Sequence, residues 1–344
     1  MGFSSLPLGA RLGVLGSLLT LATACKKDSD VGVSLPAEVN FTQAGLYPEG
    51  TQYDDQRGIF LVSSETAGRI GQVTDNGSYS LFADDPLLIS SVGLRLDAAR
   101  NRLLVAVSDP GYNTARTTAA TNGKLAALAI FNSSTGTKMS YVDLGAAPAV
   151  GGASYPAHFA NDIAVDGLGN AYITDSFAPI IYRLDRQGNV TRFLENAALA
   201  APAGKFGLNG IVYHPSGYLL VAKSDEGALF KVPISNPASF TKVTLPTALS
   251  LSGDDGLQLT NNTTLLAVCN AQGKVYQLTT ADDFASVANA AGTAGAFSTG
   301  AVYPTTLARR ADSTSYVLHA YLSALQANQA PPVADYKLQK VRFK

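Results

Sequence analysis

Four polar residues in this sequence stand directly before short apolar strand patterns that have no need of them: Glu49, Asn161, Asn209 and Asp255. In "NDIAVDGLGNAYITDS", for example, Asn161 opens two apolar alternations that are joined by a Gly-x-Gly-Asn turn. Carboxylate and amide oxygens are the ligands that calcium and magnesium prefer. If the four side chains meet in space, a divalent cation or a water cluster should lie between them, because buried charge needs a partner.

The segments that these residues open are copies of one hairpin. Each copy has a polar or small start, apolar residues at its third and usually fifth positions, a turn rich in Asp, Gly, Asn or Ser, and then an apolar strand. The six copies begin at Glu49, Val92, Asn161, Asn209, Asp255 and, in a degenerate form, Thr305. A third strand such as "PIIYRLD" follows each hairpin, and usually a fourth such as "NVTRFLE".

Four short antiparallel strands that recur every 43 to 50 residues or so, with one longer interval, are typical of propeller blades. The sequence therefore predicts an all-β fold, a six-bladed β-propeller with four antiparallel strands per blade. Two inserted loops, 109–123 and 145–159, account for the longer interval. The sixth blade lacks a fourth strand after "DYKLQKVRFK", so we expect "AEVNF" near residues 37–41 to supply it and close the ring.

The first strand of every propeller blade lines the central channel, so the residues that open the six copies should converge near one mouth. Two carboxylates, two amides and a threonine do not suit a dry, packed wall. One interpretation is a bound divalent cation, calcium or magnesium first, with zinc or manganese also compatible. The other is a polar, water-filled channel in which Asn-Gly and Asp-Gly serve only as turn residues.

At these residues the sequence resembles the gluconolactonase, senescence marker protein (regucalcin) and luciferin-regenerating enzyme family of six-bladed propellers. The similarity extends over about residues 49 to 320 and rests on the short motifs "YPEGTQYD", "FANDIAVD", "LNGIVYHP" and "DDGLQL". It implies one divalent metal ion, most simply calcium, held by Glu49, Asn209 and Asp255. It also implies that Asn161 faces the substrate.

The resemblance implies metal-dependent ring opening of a lactone or a related ester, with Asp255 acting as general base as well as ligand. The sequence departs from the family at one position. Family lactonases often have an Arg two residues before the third-blade Asn, where this chain has Phe159, preceded by His158. The departure weakens the case for a sugar-acid lactone and makes His158 a further candidate for substrate binding.

Two other functions are compatible with the same sequence. A non-enzymatic propeller lipoprotein would bind a peptide, glycan or partner protein at the channel mouth. The glycan version is disfavoured because Trp is absent and only Tyr112 and Tyr155 suggest exposed aromatic residues. A strictosidine-synthase-like or arylesterase-like hydrolase is the other, although the arylesterase type needs a His dyad and only His158 lies beside a channel residue.

The N-terminus predicts a targeting segment. Residues 1–24 contain Arg11 and the apolar run "LGVLGSLLTLATA", a signal peptide pattern too short to span a membrane. "LATAC" resembles a bacterial lipobox, which implies lipidation of Cys25, a tether over 25–36 and the propeller over 37–344. The protein would then be a cell-envelope lipoprotein, periplasmic or on the outer-membrane surface, that meets the membrane only through its anchor. An ordinary secretory signal is the alternative.

Composition excludes some partners. The 344 residues are 46% hydrophobic and 15% charged, enough for a large core. The net charge of −1 and the absence of a Lys/Arg cluster argue against nucleic acid, and we expect a monomer that acts on a small lactone or ester. His158, His214 and His319 lack metal-ligand spacing, and Cys269 in "TLLAVCNA" is predicted to be a buried strand thiol.

Overall fold

Six four-stranded antiparallel sheets make up the part of the chain that the computed structural model describes, which is residues 35–149, 154–293, 297 and 302–343. Each sheet is one blade of a propeller. The first strands of the six blades contact one another in a ring around the axis. The predicted six-bladed architecture is therefore confirmed. The predicted signal peptide and Cys25 lie outside the described residues.

The strands are numbered in chain order, and β1 (Glu38–Thr42) belongs to the last blade. Blade one contains β2 (Thr51–Asp54), β3 (Ile59–Val62), β4 (Ile70–Thr74) and β5 (Tyr79–Ala83). Blade two contains β6 (Ser90–Asp97), β7 (Arg102–Ser108), β8 (Ala126–Asn132) and β9 (Lys138–Asp143). Blade three contains β10 (Ala160–Val165), β11 (Ala171–Asp175), β12 (Ile180–Leu184) and β13 (Val190–Glu195).

The second half of the ring continues this order. Blade four contains β14 (Leu208–His214), β15 (Tyr218–Lys223), β16 (Ala228–Pro233) and β17 (Thr241–Lys242). Blade five contains β18 (Asp254–Asn261), β19 (Thr264–Cys269), β20 (Lys274–Thr279) and β21 (Asn289–Gly292). Blade six contains β22 (Pro304–Arg309), β23 (Ser315–His319) and β24 (Asp335–Lys340), and β1 completes it.

The two ends of the propeller meet in blade six. Strand β1 pairs antiparallel with β24, with Glu38 opposite Gln339 and Phe41 opposite Tyr336. This pairing confirms that an N-terminal strand closes the ring. Closure gives blade six the same four strands as the other blades and joins the two ends of the described chain in one sheet.

The middle strands explain why the core is built between blades. Strand β7 reads RLLVAVS and β19 reads TLLAVC, and nearly every side chain in both is buried. A sheet covered on both faces needs apolar residues on both faces, so these strands show continuous apolar runs and no alternation. Six hydrophobic clusters result, one at each interface between neighbouring blades.

Helical structure is sparse among the described residues. One short α-helix, α1 (Leu322–Gln326), follows β23. Four 3₁₀ turns are described, at Ala98–Arg100, Ala197–Leu199, Pro237–Ser239 and Asn270–Gln272. In the described ranges, no helix combines the length and apolar character needed to span a membrane.

Candidate functional site

A break in strand register recurs at one point of the inner strands of blades two to six. In each case two inner-strand residues oppose one residue of the second strand, which is a β-bulge. The first residue of the bulge is Val92, Asn161, Asn209, Asp255 or Thr305. A bulge re-aims a side chain out of the alternating pattern, which explains why polar residues are tolerated at these positions in otherwise apolar strands. In blade one, Glu49 stands just before β2 at the corresponding place.

The second bulge position brings neighbouring blades into close contact. It is a glycine in four blades, counting Gly50 beside Glu49, and a side chain there has no space. A Cβ at Gly50 would lie 2.4 Å from the carbonyl oxygen of Val92, and one at Gly210 would lie 2.1 Å from that of Asp255. In blade three the position is Asp162, whose carboxylate accepts hydrogen bonds from the backbone of Ile163 and Ile211.

Four of the six aligned positions line one cavity of about 470 Å³, here called the channel-mouth cavity. These four residues are referred to as the axial quartet: Glu49, Asn161, Asn209 and Asp255. The other two positions do not line the cavity. Val92 packs in the core between blades two and three, and the Thr305 hydroxyl donates a 2.7 Å hydrogen bond to the backbone carbonyl of Glu49.

The quartet amides are fixed from behind by serines. Asn161 Nδ2 donates to Ser176 Oγ at 3.0 Å, and Asn209 Nδ2 donates to Ser224 Oγ at the same distance. These contacts determine which side-chain atom of each asparagine is the nitrogen. Oδ1 of each asparagine is then buried with no hydrogen-bond partner. A buried acceptor without a donor is costly, so both oxygens are suited to a ligand.

The quartet carboxylates lie in an acidic environment. Burial, together with the neighbouring charge of Asp255, raises the pKa of Glu49 well above its usual value. Burial also raises the pKa of Asp255 to about 7, although a hydrogen bond from Asn270 opposes this shift. Of the described residues that line the cavity, only Lys205 is cationic, and it is exposed at the rim.

Two further acidic residues strengthen this character, and neither belongs to the quartet. Glu65 follows β3 and lines the cavity, where burial and the charge of Asp255 raise its pKa to about 8. Asp254 is fully buried beside Asp255, and both of its carboxylate oxygens lack a hydrogen-bond partner. Glu49, Glu65 and Asp255 thus bring three buried carboxyl groups to a cavity whose described lining has one exposed lysine, and such a region favours a bound cation.

The possible metal ligands at the channel mouth are oxygen atoms. In the described part of the chain, no three His, Cys, Asp or Glu side chains form a group that could hold a metal. A metal here would instead depend on the carboxylates of Glu49 and Asp255 and on the unpartnered amide oxygen of Asn209. This all-oxygen set fits a hard divalent cation.

His158 does not line the channel-mouth cavity. Its Nδ1 lies 2.6 Å from Oδ2 of Asp175 and 3.2 Å from the hydroxyl of Tyr182. The other oxygen of Asp175 accepts hydrogen bonds from the backbone of Phe159, Phe177 and Ala178. The His158–Asp175 pair therefore holds the chain segment that presents Phe159 to the cavity.

Several residues at the site were not predicted from the sequence. Asn270 Nδ2 donates a 2.9 Å hydrogen bond to Oδ2 of Asp255. Its position had a sequence signal, since five of the six hairpin copies end in Ser or Asn, as in "ITDS", "VAKS" and "AVCN". Glu65 and Tyr303 had no such signal, because they lie outside the repeated hairpin pattern.

No protein-family model matches the chain, and no curated protein sequence is detectably similar to it. Solved structures are similar at low identity. The Malassezia sympodialis allergen Mala s 1 is 20% identical, with a TM-score of 0.70 over 90% of this chain and 97% of that one. A gluconolactonase from Xanthomonas campestris is 13% identical, with a TM-score of 0.56 over 88% of this chain and 89% of that one.

A luciferin-regenerating enzyme is 12% identical, with a TM-score of 0.55 over 89% of this chain and 97% of that one. A streptogramin B lyase is also 12% identical, with a TM-score of 0.57 over 88% and 96%. Likeness at this level shows a shared fold and does not decide the reaction. The chain has the six-bladed β-propeller fold of the gluconolactonase and luciferin-regenerating enzyme structures, the family that its sequence motifs resemble.

Proposed function

We propose that this protein is a metal-dependent hydrolase that opens a lactone or a related ester at the channel mouth. One observation carries the proposal. Side chains from four blades bring two carboxylates and two asparagines with unpartnered amide oxygens to a single cavity that is acidic and of ligand size. That arrangement is unfavourable without a cation and matches the positions that the family resemblance implies.

Glu49, Asn209 and Asp255 would hold one divalent ion. Calcium is our first choice because every donor is oxygen, and magnesium, manganese or zinc are the alternatives. When bound, such an ion polarises the carbonyl of the ester and stabilises negative charge on its oxygen. Glu49 and Asp255 would balance the two positive charges of the ion.

The residues of the chain would carry the proton and orient the reactants. Asp255 takes a proton from the water molecule that attacks the acyl carbon, the ring C–O bond breaks, and the leaving oxygen receives a proton to give a hydroxy acid. Asn270 donates a hydrogen bond to Oδ2 of Asp255 and so fixes the orientation of the carboxylate that serves as both ligand and base. Asn161 presents a free acceptor, Oδ1, so it binds a donor such as the water or a substrate hydroxyl.

The location of this activity is part of the proposal. Lipidation at Cys25 would anchor the propeller to the cell envelope through the segment 25–36, in the periplasm or on the outer-membrane surface. The membrane contact would then be the anchor alone, and the propeller would act as a monomer on a small lactone or ester.

A panel of lactones and esters, assayed with added calcium, magnesium, manganese or zinc, tests the proposed reaction. Asp255→Asn should lower kcat/KM by about 10²–10⁴-fold, because the general base is lost. Asp312→Asn, a matched change at an exposed turn residue, should have no effect. Unchanged turnover in Asp255→Asn would remove Asp255 from the reaction. If the protein is folded and metal ions are present, yet none of the lactones and esters is hydrolysed, a non-enzymatic binding propeller becomes the better account.

A further inference from the structure

One wall of the channel-mouth cavity is aromatic. Phe159, which stands where family lactonases often have an arginine, is buried and packs against Phe177 and Phe206 with ring centroids 5.4 and 5.3 Å away. Phe177 and Phe206 are themselves 5.0 Å apart. Phe159 and Phe206 line the cavity, so this cluster presents ring surface to whatever occupies it.

Phe206 lacks the cover that a core aromatic residue has. It is 37% exposed, and no other aromatic residue is among the exposed large hydrophobic residues of the described ranges. Ligand pockets are lined predominantly by hydrophobic and aromatic side chains. Phe206 therefore adds partly exposed ring surface to the lining of the channel-mouth cavity.

Further apolar lining comes from blades two and six. Pro110 and Tyr112 come from the loop between β7 and β8, and Tyr303 and Leu322 come from blade six. The same cavity has polar lining residues, namely the axial quartet, Glu65, Lys205, Ser224, Asp225, Ser252, Asn270 and Gln326. Aromatic and apolar side chains therefore share one cavity with the polar axial quartet.

From this aromatic and apolar lining beside the axial quartet we infer that the substrate is a lactone or cyclic ester that carries an apolar alkyl or aryl substituent. The inference rests on the proposed hydrolase function and adds a substrate class to it. The ester group meets the axial quartet, and the substituent lies against Phe159 and Phe206. A polyhydroxylated ring would instead place hydroxyl groups against phenyl rings that offer no hydrogen bond.

Three δ-lactones with the same ring test this inference: δ-valerolactone, the same ring with a five-carbon alkyl chain, and glucono-δ-lactone. A buried methylene is worth about 0.8 kcal/mol, or about fourfold in kcat/KM. The alkyl lactone should therefore exceed the unsubstituted ring by well over tenfold, and glucono-δ-lactone should be the poorest substrate.

Variants of Phe206 test whether the preference for the alkyl lactone depends on this residue. Phe206→Gln should reduce the ratio of kcat/KM for the alkyl lactone to that for δ-valerolactone by about tenfold or more, whereas Phe206→Leu should keep most of it. Leu168→Gln changes another exposed apolar residue, at a hairpin turn outside the cavity, and should leave the ratio unchanged. A preference for glucono-δ-lactone, or an unchanged ratio in Phe206→Gln, would overturn the inference.

Binding of the corresponding δ-lactams by calorimetry separates the inference from the proposed reaction. If no lactone is hydrolysed but the alkyl lactam binds in a Phe206-dependent manner, the hydrolase proposal fails and the apolar ligand class stands. If the alkyl lactam binds no better than the polyhydroxylated lactam, the inference is wrong whether or not lactones are hydrolysed.

Discussion

The side-chain amide of Asn270 donates a hydrogen bond to Asp255 at the position where serines in blades three and four accept one from Asn161 and Asn209. A carboxylate needs a donor behind it, whereas the amide nitrogen of an asparagine needs an acceptor. The residue behind each of these three side chains is therefore matched to it. This matching holds each side chain in one orientation.

The first prediction concerns Asn270. Asn270→Val removes the donor and should weaken calcium binding by about 10–100-fold, as is typical for residues that orient metal ligands. Asn270→Ser, which places in blade five the hydroxyl that blades three and four already use, should retain most of the affinity. Calorimetric titration with calcium measures both. Equal losses in the two variants would show that the hydrogen bond to Asp255 does not orient the carboxylate.

The second prediction concerns the close contact between blades four and five. In Gly210→Ala the new Cβ would lie 2.1 Å from the carbonyl oxygen of Asp255 and 2.8 Å from the backbone nitrogen of Leu257. The strands must move apart, so the free energy of unfolding should fall by about 1–3 kcal/mol or more. Gly167→Ala is the control, because a Cβ there meets no atom within 4 Å.

Chemical denaturation of both glycine variants measures this difference. The same displacement should move Asp255, so Gly210→Ala should also bind calcium more weakly than Gly167→Ala does. Comparable stability of the two variants would contradict the backbone-to-backbone contact that brings the axial quartet together.

The third prediction is a pH dependence at His319, away from the cavity. Burial lowers the pKa of His319 from 6.5 to about 4, with Lys337 lowering it further and Glu38 opposing the shift. Its Nε2 is buried with no hydrogen-bond partner. Because the folded-state pKa is depressed, the stabilisation is fully present above pH 6.5 and is lost as pH falls toward 4. The loss should reach about 2–3 kcal/mol by pH 4.5.

His319→Leu isolates this contribution, because other titrating groups are common to both proteins. The free energy of unfolding of the wild type should fall more steeply than that of the variant between pH 7 and 4.5. Parallel pH curves for the two proteins would show that His319 does not titrate with a depressed pKa.

Much of the fold was predictable because the hairpin is repeated. Six copies give six chances to find the strand pattern, and the missing fourth strand of blade six pointed to "AEVNF", which forms β1 and pairs with β24. The shared register also indicated which residues converge. Asn161, Asn209 and Asp255 line one cavity because each occupies the first position of the same bulge.

Cavity residues that lie outside the repeated hairpins could not be predicted from the sequence. Glu65, Tyr303 and Phe206 reach the cavity from segments between the repeated strands, where no periodicity constrains residue type. His158 lies three residues before Asn161, yet it faces Asp175 because the chain has not yet entered β10. Outside the strands, proximity in sequence to a channel residue therefore does not predict that a side chain lines the cavity. The backbone has no regular direction there.

The melting temperature of the chelated protein, titrated with calcium, magnesium, manganese and zinc, tests the central claim that Glu49, Asn209 and Asp255 bind a divalent ion. A ligand at a hundred times its Kd stabilises the folded state by about 2.7 kcal/mol, which raises the melting temperature measurably even in a large domain. We predict a saturable increase with at least one ion, lost in both Glu49→Gln and Asp255→Asn. No increase with any ion, or an increase that both variants retain, would contradict a metal site at the channel mouth.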